Sequence, residues 1–351
     1  MRYFMEELSP WFDHCDERRH FQLVVPRRAK HCLALRNAVF AVSSRHLCRL
    51  PQYTTSQGIV YHGQALPSLT KSTSLEYMLK CIPELIQFPK IQDPVHQENI
   101  MAATIILRQY EEMEEETEEG ETGNHADERV NFLAITQTII DTMISTPLDH
   151  SLATAAYWIA IRQEVYYALT RQRAPQFLKL PSGAGGAKQP QEWENLKAKQ
   201  QQLYHDHLHE LEPILEQNAD RARGNMFPTI WYSFDAQVTA IQHLKLAEMI
   251  LIAESPYLEN ARGALHRKAE AQVRTIVLCL CGIALSHPRC QPALVNAVIA
   301  ITLYGEYFVH QEERDALLGI INQTMELHAW PLRKAYQSLQ REWDIMDNVE
   351  I

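Results

Sequence analysis

Residues 274–305 read RTIVLCLCGIALSHPRCQPALVNAVIAITLYG and contain the densest run of apolar residues in the chain. From Val273 to Leu285 the apolar side chains recur at helical spacing on nearly every face, which is typical of a helix enclosed by other helices. Ser-His-Pro at 286–288 ends this helix, because proline disfavours the α region for the residue before it. A second helix restarts at Gln291, with proline in its first turn, where the missing N–H is harmless. The stretch therefore predicts a buried helical hairpin that needs further helices around it.

Apolar residues recur at helical spacing along most of the chain on either side of this hairpin. The predicted helices lie at Arg2–Phe12, Leu33–Leu50, Gly58–Leu69, Ser74–Ile82, Val95–Met113, Asn131–Ile144, Leu152–Arg171, Glu192–Gln217, Asp235–Ala253, Ala261–Leu285, Glu312–Leu327 and Pro331–Met346. We find no credible set of alternating strands beside them. We therefore predict an all-α fold, a compact array of roughly a dozen helices stacked as antiparallel hairpins.

The negative charge is concentrated in one segment. The net charge is −10, and Glu111 to Glu121 contains eight glutamates and no basic residue, so the rest of the chain carries a net charge of −2. Residues 111–127 are predicted to form a solvated acidic loop rather than an activation segment, because Met113 is their only large apolar residue before the loop ends. A nearly neutral body without a basic block argues against autonomous DNA binding.

Ordered blocks along the chain resemble a known family. The segments CGIALSHP, QPALVNAVIAI and YGEYF between 281 and 308 closely resemble part of the fungal-specific regulatory domain that follows the DNA-binding zinc cluster in many fungal transcription factors. The same family is resembled, in the same order, by Met1–Asp13, His20–Pro26, Cys32–Leu50, Asn99–Glu112, Ala156–Ala168, Phe227–Trp231 and Ala329–Pro331. The resemblance spans essentially the whole chain and implies a single helical regulatory domain over 1–351, with a flexible linker at 180–190.

The cysteines do not supply the zinc cluster of that family. The zinc cluster holds its metals with six cysteines that include two C-x-x-C units, whereas the seven cysteines here form no C-x-x-C pair. We expect no cofactor in this chain, and zinc only in a zinc-cluster segment that this sequence lacks. Because the amino terminus does not read as a signal peptide and the cysteine count is odd, we also expect a reducing compartment.

Polar residues stand among bulky neighbours in the helix predicted over 152–171. Arg162, Gln163 and Glu164 admit two interpretations, either a set of buried hydrogen bonds with Arg108 or part of a ligand cavity. The resemblance implies that an apolar small molecule is a candidate ligand. The candidate ligand-binding residues are Arg108, Trp158, Arg162, Tyr166, Trp231 and Tyr232.

No stretch of the sequence matches the spacing of a catalytic or metal-binding motif. The chain has no G-x-S-x-G, H-E-x-x-H or G-x-G-x-x-G, so we expect that it is not an enzyme. His205 and His209 share a helix face without a third ligand, and PSGAGGAKQP at 181–190 has the wrong spacing for a phosphate loop. His46 lies on an apolar helix face, where a lone histidine is usually a hydrogen-bonded core residue.

The resemblance implies a function in transcription. We expect the regulatory domain of a fungal zinc-cluster factor, located in the nucleus with or without shuttling to the cytoplasm. Its expected partners are transcriptional co-regulators, another copy of the factor and an apolar small molecule, with DNA contacted only through an attached zinc-cluster segment and no membrane. The alternative is a stand-alone helical small-molecule sensor.

Overall fold

The computed structural model describes residues 1–56, 58–113, 132, 135–136, 138–139, 151–170, 190–258 and 263–349. The chain divides into two compact units: Met1–Phe177 with Met325–Lys334, and Leu178–Thr324 with Ala335–Ile351. The single domain over 1–351 stays a prediction. Most of the predicted acidic loop 111–127, of the linker 180–190 and of the helix Asn131–Ile144 lies outside the described residues.

The described part of the first unit is built around three long helices, α4, α7 and α8, with short helices at its amino terminus. Its helices are α1 (Ser9–Asp13), α2 (His20–Leu23), α3 (Val25–Arg28), α4 (Leu33–Arg49), α5 (Lys71–Leu79), α6 (Ile82–Ile86), α7 (Pro94–Glu112) and α8 (Leu152–Thr170). A π-helical turn at Phe4–Leu8 precedes α1, and 3-10 turns lie at Pro51–Tyr53 and Phe88–Lys90.

Helix α7 is the centre of the first unit. Asp93 caps its amino terminus by accepting hydrogen bonds from the backbone N–H groups of Val95 and His96, and Pro94 occupies the first turn. Every residue from Asn99 to Tyr110 is buried, because α4 packs on one side of α7 and α8 on another. The predicted apolar face of α4 is confirmed, since Leu35, Ala38, Val39, Val42, His46 and Leu47 are all buried.

The helix predicted at Gly58–Leu69 is wrong. This segment forms strands β2 (Gly58–Tyr61) and β3 (Gln64–Leu66), which pair antiparallel, and β1 (Thr54–Thr55) adds a third strand. The two residues between Tyr61 and Gln64 are His62 and Gly63, with φ values of 49° and 74°. Two consecutive residues with positive φ are what a tight two-residue hairpin requires and what an α-helix excludes.

The chain returns to the first unit near its carboxyl terminus. Ala329 takes a left-handed conformation with φ of 53°, and the turn directs Trp330 into the core. The indole Nε1 of Trp330 donates a hydrogen bond of 2.7 Å to the hydroxyl of Tyr166 on α8. Residues 325–334 are therefore anchored by buried contacts to a helix that lies far earlier in the sequence.

The described part of the second unit contains six helices and a short hairpin. The helices are α9 (Pro190–Asp206), α10 (Asp235–Ala253), α11 (Gly263–Ser286), α12 (Gln291–Tyr304), α13 (Gln311–His328, whose last turn belongs to the first unit) and α14 (Arg333–Val349, which enters the unit at Ala335). Strands β4 (Leu215–Gln217) and β5 (Thr229–Trp231) pair antiparallel. Short 3-10 turns lie at Leu208–Glu210, Arg221–Arg223 and Gly305–Tyr307.

The helical hairpin predicted from the opening stretch is confirmed. Helix α11 ends at Ser286 and α12 begins at Gln291, with Pro292 in its first turn. The imidazole of His287 caps the junction: its Nδ1 lies 2.8 Å from the carbonyl oxygen of Ile283, and its Nε2 accepts a hydrogen bond of 3.1 Å from the backbone N–H of Tyr232. One side chain thus ends α11 and attaches the segment after β5.

A buried amide links α10 to both helices of the hairpin. The Nε2 group of Gln242 lies 3.1 Å from the carbonyl oxygen of Ala293 and 3.4 Å from that of Leu280. Its Oε1 accepts a hydrogen bond of 3.1 Å from Asn296. Both polar ends of a fully buried side chain are therefore satisfied, which only this relative position of the three helices allows.

The single helix predicted at Glu192–Gln217 is too long. Helix α9 ends at Asp206, and the chain then forms a 3-10 turn and strand β4, which pairs with β5. Pairing with a strand that lies a dozen residues later overrides the local helical preference. Helix α11 has the length and hydropathy of a membrane span, but a core helix passes the same test, and 50% of its most apolar window is buried. The all-α fold class is confirmed.

Two glycines in the helices provide a matched test of this packing. A Cβ atom added at Gly282 in α11 would meet the backbone carbonyl oxygen of Pro228, whereas one added at Gly319 in α13 would meet nothing within 4 Å. We expect Gly282→Ala to lower the free energy of unfolding by about 2 kcal/mol or more, because the obstacle is backbone. Gly319→Ala should raise it by up to about 1 kcal/mol through helix propensity. Urea unfolding measures both, and equal effects would contradict the described approach of Pro228 to α11.

Candidate functional site

A buried ion pair joins α7 to α8 in the first unit. Nη2 of Arg108 lies 3.1 Å from Oε2 of Glu164, and the two side chains are 3% and 0% exposed. The guanidinium carbon of Arg108 also lies 6.0 Å from the ring centroid of Tyr167. The interpretation that the polar residues of 162–164 make a buried hydrogen bond with Arg108 is therefore confirmed for Glu164.

Further polar atoms are buried around this pair. Gln163 is 3% exposed, and neither its Nε2 nor its Oε1 has a hydrogen-bond partner in the part of the chain that the structure describes. Nε2 of Gln109 and Oε1 of Glu112 on α7 are also buried, and Gln109 acts as a hydrogen-bond donor that lowers the pKa of Glu112. A buried polar group without a partner costs about 1–3 kcal/mol. A buried polar set that is only partly satisfied therefore lowers stability.

The carboxyl group of Glu112 has a pKa close to neutral pH. Burial raises its pKa to about 7, and the positive charges of Arg108 and Arg162 offset part of this rise. Near pH 7 the group therefore exists both as a hydrogen-bond donor and as a charged acceptor. The α7–α8 junction combines cations, an adjustable carboxyl and amides, and such a set can hold a polar group of a ligand or an ordered water.

Four of the six predicted ligand residues lie in the first unit, in different surroundings. Arg108 belongs to the buried pair, and Nη1 of Arg162 lies 2.9 Å from Nδ1 of His14. The hydroxyl of Tyr166 accepts the hydrogen bond from Trp330. Trp158 is 56% exposed and its ring packs against that of Tyr157. The two arginines thus border the polar cluster, whereas Trp158 faces solvent.

The other two predicted residues lie in the second unit. Trp231 is 49% exposed on β5, where it pairs with Leu215 across the hairpin. Tyr232 is buried, and its ring lies 6.2 Å from that of His287. Burial raises the pKa of the Tyr232 phenol, so this group stays protonated at cellular pH. A ligand site formed by all six residues stays a prediction.

Two buried histidines lie on either side of Trp11 in the first unit. The indole of Trp11 makes edge-to-face contacts with His46 at 4.8 Å and with His328 at 5.4 Å between ring centroids. Nδ1 of His46 is hydrogen-bonded to the hydroxyl of Tyr3 at 2.5 Å. Burial lowers the pKa of His46 to about 3 and that of His328 to about 4, and the nearby His328 contributes to the first shift. Both rings are therefore neutral core residues at cellular pH.

A groove of about 770 Å³ in the second unit was not predicted from the sequence. It is bordered by α9, by the end of α10 with the turn after it, and by the start of α11. Its walls carry the aromatic rings of Trp193, Tyr204 and Tyr257, and its polar lining includes three lysines. Trp193, Lys197, Gln200 and Tyr204 follow one another at spacings of four, three and four, a helical stripe that could have indicated this face.

The groove has the size and the mixed lining of a small-molecule site. Ligand pockets of roughly 300–1,000 Å³ combine apolar walls with a few polar groups that fix orientation. A metal site is a poorer description, since no group of three or more His, Cys, Asp or Glu residues that could hold an ion occurs within the described ranges.

Comparisons with models of protein families, with curated proteins and with solved structures find no match to this chain. The first unit offers a buried polar cluster at the α7–α8 junction, and the second offers an open groove with aromatic walls.

The Arg108–Glu164 pair predicts strong coupling between two substitutions. Glu164→Met should lower the free energy of unfolding by about 3–5 kcal/mol, because it leaves the charge of Arg108 buried without this carboxylate. The double variant Arg108→Met with Glu164→Met should recover most of that loss, since both charges are gone. Urea unfolding of the four proteins in a double-mutant cycle measures the coupling. Additive losses would mean that other groups already neutralise each charge.

The shifted pKa values predict opposite pH effects for two variants. The His328 ring has a lowered pKa, so its contribution to stability is present above pH 6.5 and is lost as the pH falls towards 4. Glu112 has a raised pKa, so its contribution is present below pH 4.5 and is lost as the pH rises through 7. His328→Phe should therefore raise the stability at pH 5 relative to pH 7 by about 2 kcal/mol, and Glu112→Gln should lower it by about 2 kcal/mol.

Chemical unfolding at the two pH values measures both differences. The phenylalanine keeps a ring against Trp11, and the glutamine keeps the shape of the carboxyl group, so that each variant removes mainly a titration. Shifts of the same sign in the two variants would contradict the assigned directions.

Proposed function

We propose that this chain is the regulatory domain of a fungal zinc-cluster transcription factor, which acts in the nucleus through protein contacts and ligand sensing. It does so without catalysis, and DNA is contacted only through an attached zinc-cluster segment. The main support for this proposal is that the sequence blocks that resemble this family, although distant in sequence, contact one another in the fold.

In the first unit three such contacts connect four blocks. The guanidinium of Arg45, in the block Cys32–Leu50, donates a hydrogen bond of 2.7 Å to the hydroxyl of Tyr110, in Asn99–Glu112. The block Asn99–Glu112 contacts the block Ala156–Ala168 through the Arg108–Glu164 ion pair. The block Ala156–Ala168 in turn contacts Ala329–Pro331 through the hydrogen bond between Tyr166 and Trp330. Blocks that are distant in sequence thus form one set of core contacts, as a shared family architecture requires.

The second unit repeats this relation. Pro228 and Ile230 belong to the block Phe227–Trp231, and Gly282 and Ser286 belong to CGIALSHP. The backbone N–H of Ile230 donates a hydrogen bond of 3.1 Å to the hydroxyl of Ser286, and the carbonyl of Pro228 packs against Gly282. A side chain at position 282 would collide there, which explains why glycine stands in this block.

The charge distribution supports an indirect relation to DNA. Outside Glu111–Glu121 the chain carries a net charge of −2, and sequence-specific binding depends on several Lys or Arg contacts to phosphate from an element that enters a groove. The stand-alone sensor remains the second candidate function. Its support is the polar cluster at the α7–α8 junction together with the groove of the second unit.

A tethering experiment tests the regulatory role. The chain is fused to a heterologous zinc-cluster DNA-binding segment and expressed in a fungal host with a reporter that carries its operator. We expect the fusion to change reporter output severalfold relative to the DNA-binding segment alone. The matched controls are Gly282→Ala, which should reduce the change by destabilising the fold, and Gly319→Ala, which should preserve it. Reporter output equal to that of the DNA-binding segment alone would contradict the regulatory role.

A DNA titration tests the division of labour. At about physiological salt the purified chain should bind DNA no more tightly than roughly 10⁻⁶ M and without preference for sequence. Nanomolar binding to one operator, with a steep salt dependence, would require a DNA-reading surface among these helices. Native mass spectrometry of the chain purified from its host separates the two candidates. Captured transcriptional partners, with or without a small molecule, favour the regulatory domain, and a stoichiometric small molecule without such partners favours the stand-alone sensor.

A further inference from the structure

We propose that the groove between α9, α10 and α11 binds an organic carboxylate with an apolar body, with the body against the aromatic walls and the carboxylate among the lysines. A sensing role for this groove rests on the proposed function, whereas binding itself can be measured on the purified chain. An experiment can therefore disprove the sensing role without disproving ligand binding, and a failure to bind decanoate leaves the proposed regulatory function untouched.

The apolar wall of the groove is fixed in place. Nε1 of Trp193 donates a hydrogen bond of 2.9 Å to the carbonyl oxygen of Leu251, which orients the indole on α10. The ring of Tyr257 meets it edge to face at 5.6 Å between centroids. The hydroxyl of Tyr257 donates to Glu194, and the residue is nevertheless 50% exposed. Leu265 on the opposite wall is 44% exposed. The indole of Trp193 is itself only 5% exposed, so the apolar surface open to a ligand is that of Tyr257 and Leu265. A concave surface of this kind is suited to an apolar ligand body.

The polar lining has the charge of an anion site. It contains Lys197, Lys245 and Lys268, and Glu248 is the only carboxylate among the described residues that line it, in a chain whose net charge is −10. The carboxylate of Glu194 lies beside the groove, bonded to the hydroxyl of Tyr257. Nζ of Lys245 lies 4.0 Å from Oε2 of Glu248, the limit of an ion pair. Nζ of Lys197 lies 4.6 Å from the ring centroid of Trp193. Within the described ranges Lys268 has no acidic partner. The lining therefore attracts a negative charge.

The combination selects the chemical class. An inorganic anion would use the lysines and leave the aromatic wall in water, and a neutral hydrocarbon would use the wall and leave the lysines without a counter-charge. One carboxylate on an apolar body satisfies both parts of the lining. A neighbouring pocket of about 250 Å³ has a different lining, with Glu254, Glu270 and His266 and, among the described residues, no lysine.

The test compares ligands that share a body and differ in the head group. Decanoate, decanol and decyltrimethylammonium are titrated into the purified full chain by isothermal titration calorimetry, with inorganic phosphate as a fourth probe. We expect one decanoate per chain, bound about tenfold more tightly than decanol, which corresponds to one charge-assisted hydrogen bond. The cation and phosphate should bind more weakly still, and added salt should weaken decanoate but not decanol.

Substitutions assign the binding to this groove. Lys245→Gln and Lys268→Gln should each weaken decanoate several-fold and leave decanol unchanged. Glu248→Gln should tighten decanoate, because it removes the only carboxylate among the described lining residues and releases Lys245. The control is Lys199→Gln, an exposed lysine on α9 that does not line the groove and should have no effect. Equal affinity for decanoate and decanol, no binding at millimolar concentration, or identical effects at positions 199 and 268 would overturn the proposal.

Discussion

The buried amide of Gln242 fixes the arrangement of α10, α11 and α12, on which the core of the second unit depends. Apolar helix surfaces pack in several registers of similar energy, because dispersion and burial are not directional. Gln242 removes that freedom, since its amide reaches the carbonyl oxygens of Leu280 and Ala293 and its oxygen meets Asn296. A shift of one helix by a residue would leave a buried donor or acceptor without a partner, at about 1–3 kcal/mol for each group. The hydrophobic effect drives these helices together, and one side chain selects how they meet.

In the first unit a buried ion pair, rather than an amide, fixes how two helices pack. Arg108 and Glu164 are buried where α7 meets α8, and a pair so placed contributes little net stability, because desolvation offsets the attraction. Its effect is on specificity, since any other register would bury two separate charges. In the described part of the chain the buried amide of Gln163 has no hydrogen-bond partner. A buried amide left without a partner lowers stability, so an apolar residue of the same size would be more stable at that position.

Helical periodicity predicted most of the architecture, because the spacing of apolar residues along the sequence shows which face of each helix is buried against its neighbours. The apolar face of α4 and the hairpin of α11 and α12 were correct for this reason. The prediction failed where the backbone needed positive φ, at His62 and Gly63, and where a strand residue paired with one sixteen positions away, as for Leu215 and Trp231. The groove was missed for a related reason: Trp193, Lys245 and Lys268 come from three helices, and only the fold brings their periodic faces together.

The groove and the Gln242 amide share helix α10, and this limits how a ligand could act. Gln242 and Lys245 are three residues apart, so they lie on neighbouring positions of one helix face about a turn apart. A ligand can shift a conformational equilibrium only by the difference between its affinities for the two states. A carboxylate drawn to Lys245 would therefore have a regulatory effect only if a second position of α10 existed in which Gln242 found other partners. In the described part of the chain, the carbonyl oxygens of Leu280 and Ala293 accept a hydrogen bond from no other side chain. Such a state must therefore either replace the bonds from Gln242 with water or release α10 from the hairpin.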